Sequence, residues 1–151
     1  MNLPSILRTD APVRFKLMVS AAGILALSAC DPTVLTLEVG TCFDDPDDIS
    51  EGVEGVPTVD CAEPHDNEVI ANKLLTGTEF PGDSIMQLDA GDACLEEFEG
   101  YIGLDYESSL YDIGWLHPTA ETWEFGDRQV ICFGYHLDFE KIRGTIRGIG
   151  E

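Results

Sequence analysis

His65, Asp66 and Glu68 place an imidazole and two carboxylates within a few residues, inside the stretch Val59-Asp60-Cys61-Ala62-Glu63-Pro64-His65-Asp66-Asn67-Glu68-Val69. Groups of these types hold divalent cations or pass protons. A metal or catalytic centre needs further groups in range, and no second cluster answers this one. His117 and His136 stand alone, and nothing matches G-x-S-x-G, H-E-x-x-H or a phosphate-binding glycine loop. A turn whose polar side chains satisfy buried backbone groups beside a disulfide accounts for the same residues without chemistry. No catalytic residue, metal or cofactor is therefore assigned. Glu63, His65, Asp66 and Glu68 remain candidate partner contacts, together with Tyr111 and Trp115. With Trp123, those two aromatics offer faces that can floor a glycan or peptide groove, although in a small domain such rings also build the core. The competing reading is a small extracytoplasmic enzyme or metal-binding protein built on His65, Asp66 and Glu68.

Redox chemistry is the other possibility, since the chain has five cysteines. There is no C-x-x-C, which argues against a thioredoxin-type site and against the usual zinc spacings. With Cys30 set aside, Cys42, Cys61, Cys94 and Cys132 form an even set suited to an oxidising compartment. Four cysteines allow three connectivities, and the cysteine positions alone do not choose among them. The surrounding elements favour Cys42 with Cys61, closing an acidic loop, and Cys94 with Cys132, joining a helix to a central strand. Cys42 with Cys132 and Cys61 with Cys94 competes if the first and central strands are neighbours.

The elements that must position these groups follow from hydrophobic period. Leu37 to Val39 leads into a first strand at Gly40-Thr41-Cys42-Phe43. The run Asp44-Asp45-Pro46-Asp47-Asp48 lacks the alternating ligands and the glycine of an EF-hand loop, so it reads as solvated. Residues 56–61 and 67–75 read as strands two and three, with Val69 and Ala71 on one face and Ile70 and Asn72 on the other. Pro64 biases Glu63 away from helix, making a turn or irregular crossing between them. Ile85, Leu88, Leu95, Phe98 and Ile102 recur at helical spacing, predicting one helix over 83–102, capped by Asp83 or Ser84 and ending before Gly103. Residues 110–117 read as a strand, 118–123 as a short helical turn, and 128–136, apolar on both faces, as a covered central strand. Residues 142–146 read as a final edge strand, guarded by Lys141, Arg143 and Arg147. The expected fold class is α+β, a small, mainly antiparallel sheet packed on one principal helix and stapled by two disulfides.

The N-terminal segment sets the compartment. Arg8, Arg14 and Lys16 precede an apolar run from Leu17 to Ala29, then Leu27-Ser28-Ala29-Cys30, which resembles a bacterial lipobox. The run is too short for a transmembrane helix, which needs about 20 apolar residues. Residues 1–29 are thus expected to be a lipoprotein signal peptide, 30–36 a tether lipidated at Cys30, and 37–151 one folded domain. The chain carries a net charge of −21, and three of its eight Lys and Arg lie before Cys30, so the exported part is more acidic still. Such a surface repels nucleic acid and anionic headgroups and keeps an exported protein soluble and monomeric, leaving cationic partners or bound cations open.

Gly40-Thr41-Cys42-Phe43, the Cys61-to-Asp66 segment with Glu68-Val69, Phe80-Pro81-Gly82, the helix with Cys94, Trp115-Leu116-His117-Pro118-Thr119 with Trp123, Gly126-Asp127-Arg128, and Val130-Ile131-Cys132 together resemble the septum-formation domain family of actinobacteria. The resemblance spans roughly residues 38 to 148. It implies an envelope protein linked to division or cell-wall growth, and it implies no known reaction. The combined reading is a non-catalytic interaction module, lipid-anchored at the outer face of the cytoplasmic membrane, with an envelope protein or cell-wall partner and no nucleic acid.

Overall fold

The computed structural model describes residues 35–46 and 55–150. The expected signal segment, Cys30, most of the expected tether and the centre of the acidic loop, including Asp47 and Asp48, lie outside the described residues. Five strands, β1 Cys42–Phe43, β2 Thr58–Val59, β3 Asn67–Leu74, β4 Tyr111–Leu116 and β5 Gln129–His136, form one antiparallel sheet. Its order is β2-β1-β3-β5-β4. The principal helix α1, Asp83–Ile102, lies between β3 and β4 in the chain, and a short α2, Ala120–Glu124, precedes β5. The class is the expected α+β, with both disulfides present, Cys42–Cys61 and Cys94–Cys132. Because β3 separates β1 from β5, the neighbour relation needed by the competing pairing is not met.

Alternation along β5 explains its burial on both sides. Val130, Cys132 and Gly134 turn toward α1, where Cys132 is bonded to Cys94, while Ile131 and Phe133 face a second cluster with Phe43 and Val69. Gly134 is the close approach on the α1 side, since a Cβ there would lie 2.7 Å from Ile146 Cδ1. In β3 the alternation breaks. A bulge between Val69 and Ala71 turns Ile70 and Ala71 to the same core, so Val69 and Ala71 do not share a face as expected.

The helix has the expected limits but presents a different face. Met86, Ala90, Cys94, Phe98, Tyr101 and Ile102 are buried, whereas Ile85, Leu88 and Leu95 are exposed. Positions four apart form one ridge of a helix, and the disulfide at Cys94 fixes that ridge against the sheet. Gly91 lets α1 approach β4, because the Trp115 ring lies 3.1 Å from where a Cβ would stand. The N-cap is Gly82, without a side-chain capping bond, in place of Asp83 or Ser84; Gly103 closes the helix in the left-handed conformation at φ 85°.

Three short elements also differ. Leu37 to Val39 is not extended into β1, because the chain turns at Val39 and Gly40, where φ is 91°. The second strand shrinks to Thr58–Val59. Residues 142–146 form no strand. A single bridge pairs Ile142 with His65, and Gly144 at φ 82° then breaks the extended path. Ile142 and Ile146 nevertheless sink into the main core.

Candidate functional site

The His65, Asp66 and Glu68 side chains diverge. His65 is fully buried, and its Nδ1–H donates to the Glu63 carbonyl at 2.8 Å, leaving Nε2 buried without a hydrogen-bond partner. Its backbone N–H donates to Ile142 O and its carbonyl accepts from Ile142 N–H. Glu68, 1% exposed, accepts from the Tyr101 hydroxyl and the Thr145 hydroxyl, each at 2.6 Å, and from Ile146 N–H at 2.7 Å. Burial and the Glu68 hydrogen bond push the Tyr101 hydroxyl up to about 12. Both residues therefore fasten the C-terminal segment, at Ile142, Thr145 and Ile146, to the sheet. Arg147 over the Tyr101 ring at 4.4 Å and Gly148 N–H donating to Tyr101 O complete the attachment.

Asp66 turns instead toward the surface. Lys141 Nζ lies 2.8 Å from both Asp66 Oδ1 and Asp44 Oδ1, and Asp45 N–H donates to Asp66 Oδ2. Partial burial works to raise the Asp66 carboxyl, but the Lys141 and Asp45 hydrogen bonds outweigh it and hold the group below the usual carboxylate range. Lys141 is raised in turn by its hydrogen bonds to Asp44 and Asp66.

A metal centre on His65, Asp66 and Glu68 would need all three to converge. The group of potential ligands that does converge is Cys42, His65 and Glu68, with donor atoms within 4.8 Å of one another. Cys42 is bonded to Cys61, and both Glu68 oxygens already accept hydrogen bonds, so this set does not fit a metal while the disulfide is intact.

The aromatic candidates also serve the fold. Tyr111 is buried in the core beside α1, with its ring edge-on to His136, and Trp123 is 4% exposed beneath the Arg128 guanidinium, 3.6 Å from its ring centre. Arg128 also donates to the Trp123, Asp127 and Gly77 carbonyls, which explains the Gly126-Asp127-Arg128 segment as a tie between α2 and the loop before α1. Trp115 is half-buried against Gly91, and its Nε1–H donates to Gln87 Oε1 at 3.1 Å. Glu63 is exposed. The six candidate contacts thus do not form one surface.

What does form a surface is a cavity of about 170 Å³ at the His136 end of β5, where Asp66 meets Asp45, Asn67, Phe133, Tyr135, His136, Phe139 and Glu140. Phe133 and Tyr135 share the face of β5 turned away from α1. The Phe139 ring stacks on Tyr135 with centroids 5.6 Å apart and planes 18° apart. The Tyr135 hydroxyl donates to Asp112 Oδ2 at 3.0 Å, and burial with this hydrogen bond pushes it up to about 12. Asn67 Nδ2 donates to Asp45 Oδ1, orienting that carboxylate at the rim. Sequence reading isolates only Asp66 of this set. The available signal was Phe139, a large apolar residue between Asp138 and Glu140 just beyond a strand end.

The septum-formation family model matches residues 29–135, which takes in Cys30, all four paired cysteines and every strand but the final residue of β5. No curated protein and no solved structure matches the chain. With most of the chain covered, and with the Cys61-to-Glu68 segment and the Gly126-Asp127-Arg128 tie both found within the match, the chain belongs to the septum-formation family.

Proposed function

We propose that this chain is an extracytoplasmic lipoprotein, anchored through Cys30 at the outer face of the cytoplasmic membrane, that acts as a non-catalytic interaction module in septum formation. Family membership supports the process and an envelope location. The observation that carries the module reading is how the reactive side chains are used: His65 and Glu68 are buried in fastening the C-terminal segment, while an aromatic and acidic cavity stays open on the far face of the sheet. The Leu27-Ser28-Ala29-Cys30 tetrapeptide supports the anchor, and no helix among the described residues is long and apolar enough to cross a membrane. A dual lipid signal on one cysteine gives stable attachment where one acyl chain is marginal.

Two measurements on the chain purified from its native membrane test this reading. A fatty-acid probe should label the wild type and not the Cys30→Ala variant, and metal analysis should find no stoichiometric zinc or calcium. Equal labelling of both would remove the anchor. One equivalent of metal that is lost in a Glu68→Gln variant would replace the module reading with the metal-binding one.

A further inference from the structure

We propose that the cavity at the end of β5 receives the lysine side chain of a basic polypeptide partner, an inference that rests on the interaction-module reading. Its walls are of two kinds. Phe133, Tyr135 and Phe139 supply ring faces, with Phe133 and Tyr135 centroids 6.3 Å apart and Tyr135 stacked on Phe139. Asp45, Asp66 and Glu140 supply carboxylates. Aromatic faces and carboxylates attract the same ligand, an apolar stem ending in a cation.

Phe139 is the residue that the fold does not account for. It is 81% exposed, and it is the one non-glycine residue with positive φ, 56°, among those described. A bulky side chain held in that region is strained, and burial does not compensate here. Its ring instead extends the aromatic wall beyond the sheet and keeps one face open.

The acidic cluster already binds an ammonium, since Lys141 sits 2.8 Å from Asp44 and Asp66. Asp45 and Glu140 have no cationic partner among the described residues, so negative charge remains on the cavity side of that pair. A polypeptide source follows from the wider field. Residues 31–72 carry twelve Asp and Glu and no Lys or Arg, and the whole chain is at −21, so attraction extends well past the cavity to a partner with several cations.

The test uses the full chain in detergent at physiological salt, with the ring protons of Tyr135 and Phe139 followed by NMR. The probe is acetyl-Ala-Lys-Ala-amide, compared with its Nε-acetyl analogue, its arginine analogue and a wall peptide carrying a free amine. Saturable shifts with the lysine probe, absent with the neutral analogue, are expected. Asp45→Asn with Glu140→Gln should weaken binding by about tenfold and Phe139→Ala by about fivefold, as expected for removing paired charge and a cation–π contact. Asp92→Asn, on the outer side of α1, should leave binding unchanged. Equal binding of the neutral analogue, equal weakening by Asp92→Asn, or tighter binding of the arginine or wall probe would overturn the proposal. Near-UV circular dichroism of each variant confirms that the fold persists. The module reading fails by a different result, normal septation in cells that lack the chain.

Discussion

At the scale of single residues, Glu68 shows how a buried carboxylate can look like chemistry and act as an attachment. Three donors converge on it, two of them from the buried residues Tyr101 and Ile146, and the carboxylate itself is 1% exposed. Glu68→Gln keeps the volume but turns one acceptor atom into a donor. The variant should lose about 2–3 kcal/mol of stability in urea, the cost of unmaking charged hydrogen bonds in the interior. Hydrogen exchange should also quicken at the amides of Ile146 and Gly148 before those of β3, since both depend on this attachment. Simultaneous exchange throughout the domain would show that the C-terminal segment does not open separately. Reading the sequence finds His65, Asp66 and Glu68 as a group because spacing is all that a sequence displays. It does not find their divergence, because that depends on Tyr101, Lys141, Thr145 and Ile146, distant residues whose arrival at this place is decided by the sheet.

At the scale of elements, the helix shows which features are legible. Its limits are fixed by local signals, Pro81 and Gly82 before it and Gly103 after it, and these are visible in the chain. Its orientation is not visible, because Leu88 and Leu95 lie at helical spacing from Ile102 just as Ala90 and Cys94 do. Small residues win that contest where the helix must come close to the sheet, beside Trp115 and the Cys94–Cys132 bond. The same limit applies to β3, where the bulge at Ile70 reverses faces that strict alternation assigns. The two disulfides close segments of 19 and 38 residues. Chain-entropy estimates for such loops give about 3–4 kcal/mol each, a large part of the 5–15 kcal/mol that holds a domain together. Replacing Cys94 and Cys132 with Ala should therefore lower the thermal midpoint sharply. Replacing Cys42 and Cys61 should do so too, while also loosening the turn that carries His65 and Asp66. Calorimetry on the two double variants checks this, and unchanged midpoints would contradict it.

At the scale of the whole molecule, charge and ionisation give signatures that involve the sheet, helix and C-terminal segment together. Burial and carboxylate hydrogen bonds raise Tyr101 and Tyr135 to about 12, and Tyr106 is raised chiefly by its bond to Asp112. A raised folded value means that these groups stabilise the domain fully below the ordinary tyrosine value and that the contribution is lost as pH climbs toward 12. The phenolate absorbance of Tyr101 and Tyr135 should appear late and together with unfolding, whereas early ionisation of these two would contradict their hydrogen bonds to Glu68 and Asp112. Asp66 and Asp112 behave in the opposite sense: both are held below the usual carboxylate range, so their contribution is present above that range and is lost as acid is added. In the proposed function the intact domain serves septum formation through its open cavity. The most direct measurement is the frequency and placement of septa in cells whose only copy carries Asp45→Asn with Phe139→Ala, at wild-type abundance. Defective septation equal to that of cells lacking the chain is the expected result. Normal septa in the variant cells, with defects only when the chain is absent, would show that the protein acts through another surface.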